Sequence, residues 1–292
     1  MNHTIAGLLE STPLNKTDAK ALLGHLINQY LGWPRSALIS RDQEPLPDEI
    51  LLAWKSFEAR RLSGVPVAYL TGTKGFHGIE LKVNEAVLIP RPETELLVDL
   101  ALEEIQRIHA RSPNQSIQVL DLGTGSGAIA LAIAHATSAI SEASIDIDVF
   151  GIDQSSAAIE LARDNAKSLG LDTSVTFLTS NWYAAIPDRY RSAVDIIVSN
   201  PPYIQKDDPH LQTGDLRFEP QSALTDYDDG LSCIRQILNG THQYLKPGGL
   251  IAIEHGYDQA AAVTALMKTE GFQAITSLPD LAGHLRISLA RK

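Results

Sequence analysis

Cysteine is almost absent from this chain. Cys233 is the single cysteine among 292 residues. A disulfide within the chain needs two thiols and a cysteine-rich metal site needs several, so both are excluded. One cysteine also fits a reducing compartment. We interpret Cys233 as a small packing residue in a helix, and we expect no metal site.

Basic residues are also scarce relative to acidic ones. The chain carries 24 Lys and Arg against 35 Asp and Glu, which gives a formal net charge of −11. Proteins that bind nucleic acid over broad surfaces neutralise its phosphates with Lys and Arg. The composition therefore argues against this function class, and we expect no direct nucleic-acid partner.

Long apolar runs are missing as well. No segment of the sequence approaches the ~20 consecutive apolar residues that are needed to span a bilayer. The first residues, MNHTIAGLLESTPLNK, lack the basic start and apolar core of a secretory signal. We therefore expect a cytoplasmic protein that has no membrane partner.

The hydrophobic pattern divides the chain into three parts. Residues 1–72 are predicted to form a small helical bundle, with Thr17 as the candidate N-cap of one helix and Gly32 at its end. Residues 73–90 are predicted to form a β-hairpin linker, and the neighbouring segment AYLTG also has β-prone character. From residue 91 to 292 apolar strands alternate with helices, and the last segments, FQAITSL and LRISLA, indicate an added antiparallel pair. This alternation predicts an α/β domain with a Rossmann-like sheet covered on both faces.

A glycine-rich turn follows the first strand of the α/β region and leads into a helix. The turn comprises Gly123, Thr124, Gly125, Ser126 and Gly127, and Asp121 lies just before it. The spacing G-x-G-x-G differs from the G-x-G-x-x-G of dinucleotide-binding turns. A carboxylate there suits the methionyl ammonium of S-adenosylmethionine, which has no pyrophosphate to be held. The pattern therefore favours S-adenosylmethionine as the cofactor.

Two further residues are candidates for the cofactor site. Asp153 ends the next strand, where its carboxylate could accept hydrogen bonds from both ribose hydroxyls; the alternative is a helix N-cap. Trp182 follows the third strand, where its indole could cover one face of the adenine while the neighbouring Asn181 meets the exocyclic amine; the alternative is core packing.

The segment Asn200, Pro201, Pro202 and Tyr203 ends the strand AVDIIVS and carries the most specific signal. Prolines have no backbone N–H, so the backbone of Pro201 and Pro202 offers only carbonyl oxygens, which can only accept hydrogen bonds. Asn200 adds a side-chain oxygen and Tyr203 adds an aromatic face. Together these groups match a planar NH₂ group, whereas the alternative is a turn that merely ends the strand.

An amide or aromatic amine nitrogen needs such help, because its lone pair is delocalised and poorly nucleophilic. Acceptors that hold its two protons increase the electron density on nitrogen and direct it at the sulfonium methyl. No strong base is required, since the methylated amide cation readily loses a proton to a carbonyl or to water. The segment 200–203 is therefore the predicted catalytic site.

Nearly the whole chain resembles the HemK/PrmC family of protein-(glutamine-N5) methyltransferases. The similarity is carried by GVPVAYLTG, VLIPRPETELLV, DLGTGSGAIALA, FGIDQSSAAIELARDNA, VSNPPYI, RFEPQSAL and IEHGYDQ. The combination of IPRPETE with NPPYI is specific, whereas NPPY alone also resembles adenine-N6 DNA methyltransferases. Members of the family often have Asp at the position of Asn181.

The resemblance implies methyl transfer from S-adenosylmethionine to the glutamine of the Gly-Gly-Gln motif in class I peptide chain release factors. It implies that residues 123–127, Asp153 and Trp182 line the cofactor, that residues 200–203 hold the glutamine, and that Asn200 touches both. Residues 1–72 would form the substrate-recognition domain. The alternatives are a glutamine methyltransferase of a ribosomal protein and a DNA adenine methyltransferase, the latter disfavoured by the net charge of −11.

Overall fold

The computed structural model describes residues 3–139 and 145–292. The chain divides into two compact units, Met1–Thr73 and Lys74–Lys292. Among the described residues, no helix has the length and apolar character required to cross a membrane.

The first unit consists of helices. They are α1 (Ile5–Ser11), α2 (Lys16–Leu31), α3 (Ala37–Ser40), α4 (Asp48–Leu62) and α5 (Val67–Thr71). Leu22, Ile27, Ile50 and Trp54 are buried in their shared core, as the amphipathic pattern predicts.

Two local predictions in this unit are wrong. Helix α2 is capped by Asn15, whose side chain accepts hydrogen bonds from the backbone N–H groups of Thr17 and Asp18, so Thr17 is not the cap. The segment AYLTG lies mostly within α5, because Pro66 occupies the N-cap position and Gly72 ends the helix in the left-handed region at φ 72°. Gly32 ends α2 in the same way, as predicted.

A short hairpin begins where the first unit ends. It is formed by β1 (Thr73–Phe76) and β2 (Ile79–Lys82), which pair with each other in a separate two-stranded sheet. The side chains of Phe76, Ile79 and Leu81 are buried in a core of the second unit. The backbone of Lys82 is also held there, since Asn165 accepts from its N–H at 2.7 Å and donates to its carbonyl at 3.0 Å. The hairpin is therefore packed into the second unit.

The second unit is built around a seven-stranded sheet. In chain order its elements are α6 (Glu95–Arg111), β3 (Ile117–Leu122), α7 (Ala128–Ala139), β4 (Ile147–Asp153), α8 (Ser156–Leu169), β5 (Val175–Thr179), β6 (Val194–Ser199), α9 (Gln221–Leu224), α10 (Ser232–Tyr244), β7 (Leu245–Glu254), α11 (Ala260–Thr269), β8 (Gln273–Pro279) and β9 (Leu285–Arg291). The strand order is β5-β4-β3-β6-β7-β9-β8. Strands β3 to β7 are parallel, whereas β9 is antiparallel to both β7 and β8. The predicted Rossmann-like fold class and the added antiparallel pair are confirmed.

Side chains alternate across this sheet and fill one core on each face. Along β3, Val119 belongs to the core under α6, α7 and α8, whereas Leu120 belongs to the core under α10 and α11. From β3 the chain adds β4 and then β5 on one side of β3, and it then crosses back to add β6 on the other side. The order of strands therefore reverses between β3 and β6. In such sheets ligands bind at the carboxyl ends of the strands on either side of this reversal.

The sheet is closely packed where β4 passes beneath the glycine-rich turn. A methyl group at Gly151 would lie 2.5 Å from the ring of Phe177 and 2.7 Å from the Thr124 hydroxyl oxygen. We predict that Gly151→Ala lowers the free energy of unfolding by about 1–3 kcal/mol, because the inserted methyl forces the ring and the turn apart. Chemical denaturation measures this change.

Gly75→Ala is the matched control, since apart from its two chain neighbours no described residue has an atom within 4 Å of the methyl position there. The control is expected to stay within about 0.5 kcal/mol of the wild type. Equal stabilities of the two variants would contradict the close packing at Gly151.

Candidate functional site

A cavity of about 360 Å³ opens at the carboxyl ends of β3, β4 and β6. Its wall includes Asp153, residues 180–182, Asn200, Pro202 and four residues of the glycine-rich turn, namely Gly123, Thr124, Gly125 and Ser126. The predicted cofactor residue Gly127 is not on this wall, and a methyl there would lie 2.9 Å from the Leu131 side chain of α7. Residues from the segments 86–94 and 222–236 complete the wall. The cavity therefore lies at the reversal of strand order, and it has the size of a small-molecule site.

The glycine-rich turn is held close to the end of β4. The backbone N–H groups of Gly123 and Thr124 both donate to the Ile152 carbonyl at 2.8 Å. Gly123 has a φ of 77°, and a methyl there would lie 3.8 Å from both the Trp182 ring and the Asn200 carbonyl oxygen. Glycine thus leaves open the space between the predicted cofactor residues and residue 200.

Asp121 stabilises this turn from below and does not line the cavity. Its side chain is fully buried, with Oδ2 accepting from the Thr124 hydroxyl at 2.7 Å and from the Ala130 N–H at 3.3 Å. Oδ1 has no hydrogen-bond partner among the described residues. Burial raises the pKa of this carboxyl to about 7. Asp121 is therefore not part of the cavity wall, and its proximity to the ammonium of a cofactor stays a prediction.

Asp153 lies at the wall of the cavity. Its Oδ2 accepts from the Gly125 N–H at 3.0 Å and its Oδ1 from the Ser155 N–H at 2.9 Å. The N-cap of α8 is Ser155, whose side chain accepts from the Ala158 N–H, so Asp153 is not the cap. Burial raises the pKa of Asp153, and these backbone donors oppose that effect. The carboxylate orients the turn and remains available to a ligand in the cavity.

Trp182 and Asn181 also line the cavity. Trp182 is half-buried and has a φ of 46°, a conformation that non-glycine residues rarely adopt. The Ser180 hydroxyl fixes this turn by donating to the Trp182 carbonyl at 2.9 Å and accepting from the Ala185 N–H at 2.9 Å. A strained backbone that presents an aromatic ring to a cavity is typical of ligand sites.

Asn200 joins the cavity wall at the end of β6. Its Nδ2 donates to the Thr94 hydroxyl oxygen at 3.0 Å. Just before it, the Ser199 hydroxyl donates to the Leu122 carbonyl at 2.6 Å and ties β6 to β3. The bond uses one of the two protons of Nδ2, and Oδ1 of Asn200 accepts no hydrogen bond from the described part of the chain, so it can accept one from a ligand.

The other three residues of the segment 200–203 divide between the cavity and the protein interior. Pro202 lines the cavity, whereas Pro201 is buried and neither Pro201 nor Tyr203 belongs to the wall. The Tyr203 hydroxyl donates to Oε1 of Glu254 at 3.3 Å, and Gln259 donates to the Tyr203 carbonyl at 2.9 Å. Burial raises the pKa of both Tyr203 and Glu254, that of Glu254 to about 7. Tyr203 is thus anchored by its hydroxyl beneath the site.

Several residues of the site have no role that the sequence alone indicates. Thr94 belongs to the string RPETE, which the family resemblance includes without assigning a task. In the same string, Arg91 forms an ion pair with the buried carboxylate of Glu219, which also accepts from the Ile89 N–H at 2.9 Å. Glu219 belongs to RFEPQSAL, so two motifs that are far apart in the sequence meet at the cavity.

Cys233 and Tyr227 lie on the wall formed by residues 222–236. Burial and the nearby Asp226 raise the pKa of the Cys233 thiol to about 11, which keeps it protonated and unreactive at neutral pH. Tyr227 is exposed and has a φ of 60°, and the Asp226 carboxylate accepts three backbone N–H groups of the same loop. The packing role predicted for Cys233 agrees with its raised pKa.

Two family models match the chain. The model described as a methyltransferase domain matches residues 113–281, and the model described as the PrmC N-terminal domain matches residues 3–72. The first match contains residues 123–127, Asp153, Trp182 and residues 200–203.

Curated relatives resemble the chain over nearly their whole length. A release factor glutamine methyltransferase from Burkholderia pseudomallei is 47% identical over 99% of this chain and 96% of its own. A protein of the same name from Neisseria gonorrhoeae is 44% identical over 95% of this chain and 94% of its own.

Solved structures support the fold at much lower identity. The catalytic domain of hMettl16, in complex with the MAT2A 3′UTR hairpin 6, has a TM-score of 0.53 and 12% identity, with coverage of 84% of this chain and 82% of that one. At this identity the likeness concerns the fold alone.

The position of Asp153 leads to a test of ligand binding. We predict that Asp153→Ala weakens the binding of S-adenosylmethionine by about 1–3 kcal/mol, because it leaves ribose hydroxyls without an acceptor and frees the Gly125 N–H. Titration calorimetry measures the affinity.

Asp164→Ala is the control, since Asp164 lies on α8 with an exposed side chain and a long 3.8 Å contact to Lys167. Unchanged affinity in Asp153→Ala would remove Asp153 from the cofactor site.

Proposed function

This chain belongs to the release factor glutamine methyltransferase family, and we propose that the segment 200–203, with Asn200 and Pro202 on the cavity wall, holds the side-chain amide of a release-factor glutamine for methylation. The methyl donor is S-adenosylmethionine, and the product is N5-methylglutamine. The observation that carries the proposal is the hydrogen bond from Asn200 Nδ2 to Thr94, which leaves Oδ1 of Asn200 as an acceptor beside the glycine-rich turn.

The residues of the cavity fit S-adenosylmethionine. Asp153 offers a carboxylate for ribose hydroxyls, Trp182 offers a ring face for adenine, and Gly123 keeps the space between Trp182 and Asn200 open. When bound, this cofactor supplies an electrophilic methyl group on a sulfonium sulfur. The protein's own residues have to hold the two reacting groups side by side.

The amide nitrogen gains reactivity from the acceptors that surround it. In this proposal Oδ1 of Asn200 accepts one N–H of the glutamine, and a carbonyl of the two prolines accepts the other. Both contacts strengthen as positive charge develops on nitrogen, so they stabilise the transition state more than the ground state. The surplus proton then passes to a carbonyl oxygen or to water, and no strong base is needed.

Two other substrates carry a similar planar NH₂ group. A glutamine of a ribosomal protein would fit the same acceptors, and so would the exocyclic amine of adenine. The net charge of −11 disfavours DNA. The names of the relatives favour the release factor. We also place the protein in the cytoplasm and assign it no direct nucleic-acid partner.

The proposal is tested by incubating the enzyme with S-adenosylmethionine and intact release factor, followed by peptide mass spectrometry. The expected result is one added methyl group on the glutamine of Gly-Gly-Gln. A ribosomal protein and DNA are offered as substrates in parallel reactions. Methylation of only one of these would contradict the release factor as the substrate.

Asn200 is the residue on which the chemistry depends most. We predict that Asn200→Ala lowers kcat by roughly 10²–10³-fold, the usual loss for one preorganised polar group, while the affinity for S-adenosylmethionine changes much less. Steady-state kinetics and calorimetry measure the two effects.

Asn114→Ala is the control, because Asn114 is exposed in the turn before β3, at the opposite end of that strand. Near-normal turnover of Asn200→Ala would exclude Asn200 from the mechanism.

We assign residues 1–72 to recognition of the release factor. A glutamine side chain is small and common, so selectivity has to come from contacts away from the reacting amide. This part of the chain displays large apolar side chains to solvent, with Ile39 83% and Leu52 69% exposed. We take these two side chains as candidate anchors for the partner, and the kinetic test below decides that assignment, since single exposed apolar groups also occur elsewhere on protein surfaces.

The assignment predicts a selective kinetic defect. The variant Ile39→Ser/Leu52→Ser should raise the KM for intact release factor by about 10-fold or more, the usual cost of losing apolar anchors. Its kcat/KM on a short glutamine peptide should not change, because the peptide lacks the remote contacts. Leu281→Ser, at an exposed position of the second unit, is the control. An unchanged KM on intact release factor would exclude these two side chains from recognition.

A further inference from the structure

One glutamine side chain lies where three loops meet, next to the residues that are proposed to hold the substrate. Gln259 occupies the N-cap position of α11 and ends the segment IEHGYDQ, to which the mechanism described above gives no task. Its backbone carbonyl begins the helix by accepting from the Val263 N–H at 2.9 Å. Its half-buried side chain makes no capping hydrogen bond to α11, all of whose residues are described. The side chain therefore serves a purpose other than capping this helix.

The amide of Gln259 forms hydrogen bonds with three different loops. Its Nε2 donates to the Tyr203 carbonyl at 2.9 Å and to the Gly230 carbonyl at 3.3 Å. Its Oε1 accepts from the Gly256 N–H at 2.8 Å. A side-chain amide has two N–H protons, and these two carbonyls take both of them. The side chain therefore connects the loop after β6, the loop before α10 and the loop after β7.

Gly230 lies too close to Tyr203 for any side chain. It has a φ of 80°, and a methyl there would lie 2.5 Å from the Tyr203 carbonyl oxygen and 2.7 Å from Nε2 of Gln259. Its own N–H donates to Oδ1 of Asp226 at 3.0 Å, which fixes the turn from the other side. Glycine at this position therefore lets the two loops approach closely enough for one amide to reach both carbonyls.

The same two loops run side by side beyond this contact. The Ile204 N–H donates to the Leu224 carbonyl at 3.0 Å, and the Lys206 N–H donates to the Asp228 carbonyl at 3.0 Å. Residues 225–227, between these two bonds, lie on the cavity wall. The segment that is proposed to hold the substrate is therefore placed relative to one wall of the cavity by backbone contacts and by the Gln259 amide.

Tyr203 is held at both of its ends by β7 and the loop that follows. Its hydroxyl donates to Oε1 of Glu254, the last residue of β7, at 3.3 Å, and its carbonyl accepts from Gln259. Pro202 precedes Tyr203 directly and lies on the cavity wall. A shift of the Tyr203 backbone therefore moves Pro202, and a displacement of about 1 Å in a group that positions a reactant can lower a rate about 100-fold.

We propose that Gln259 is a positioning residue, which holds the Tyr203 carbonyl beside Gly230 and thereby keeps the segment 200–203 in place for methyl transfer. This inference rests on the proposed function, because that function assigns the segment to the substrate amide. Gln259 is not on the cavity wall and acts through Tyr203, so it does not need to touch the substrate.

The test compares Gln259→Glu and Gln259→Met in the full-length enzyme. Both variants keep the length of the side chain. Ionised glutamate keeps an oxygen for the Gly256 N–H but loses both donors, whereas methionine loses the donors and the oxygen. Assays at about pH 8.5 keep the introduced carboxylate ionised.

We expect kcat to fall about 10- to 100-fold in both Gln259 variants, because the segment 200–203 is no longer held. The fall should be equal on intact release factor and on a short glutamine peptide, since both present the same amide to the cavity. The affinity for S-adenosylmethionine should not change. Steady-state kinetics and calorimetry measure these effects, and melting temperatures show whether a slow variant is still folded.

Gln273→Glu is the matched control. Gln273 also donates to a glycine carbonyl, that of Gly271, at 3.1 Å, but it begins β8 and is not on the cavity wall. Its kcat should stay at the wild-type value. A wild-type kcat in both Gln259 variants, or a fall that is confined to intact release factor, would overturn the proposal.

Hydrogen exchange tests the contact without turnover, which keeps the inference distinct from the proposed function. In Gln259→Met, peptides that contain the Ile204 and Lys206 amides should exchange about 10-fold faster or more, because the loop opens locally, whereas peptides from β3 should not change. Unchanged exchange at Ile204 and Lys206 would overturn the positioning role even if release factor is methylated. Faster exchange in an enzyme that leaves release factor unmodified would overturn the proposed substrate alone.

Discussion

The hydrogen bond from the Asn200 amide to the Thr94 hydroxyl connects the segment 200–203 to the string RPETE before α6. Asn200 directly follows β6, and Thr94 precedes α6, a helix whose apolar side chains pack on the sheet. The bond holds Nδ2 of the Asn200 amide on Thr94. An amide substrate presents only N–H groups on its reacting nitrogen, so a site that presents an N–H in return could not bind it productively. The chemistry therefore depends on the orientation of one planar group.

The sheet supplies the second requirement, which is closeness of cofactor and substrate. The glycine-rich turn follows β3 and residues 200–203 follow β6, and these strands are neighbours at the reversal of strand order. Ser199 ties the two strand ends together by donating to the Leu122 carbonyl at 2.6 Å. Gly123 lies near both Trp182 and Asn200 and has no side chain that would occupy the space between them. When one cavity holds both reactants, a bimolecular reaction becomes effectively unimolecular.

Local patterns predict much of this arrangement, and long-range contacts explain what they miss. The alternation of strands and helices predicts the sheet, and carboxyl ends of parallel strands bring Asp153, Trp182 and Asn200 to one cavity. Thr94 contacts Asn200 across 106 positions of sequence, a pairing that no spacing rule encodes. Asp121 precedes the turn, but its buried carboxylate bonds to Thr124 and to the Ala130 N–H and is not on the cavity wall, a placement that the spacing alone does not indicate.

The most direct measurement is a crystal structure of the enzyme with S-adenosylhomocysteine and a Gly-Gly-Gln peptide of the release factor. The amide nitrogen of the glutamine is predicted to lie about 3 Å from Oδ1 of Asn200, with the nitrogen facing the sulfur and Nδ2 of Asn200 still on Thr94. A glutamine bound through its amide oxygen to Asn200, or bound outside the cavity, would contradict the account.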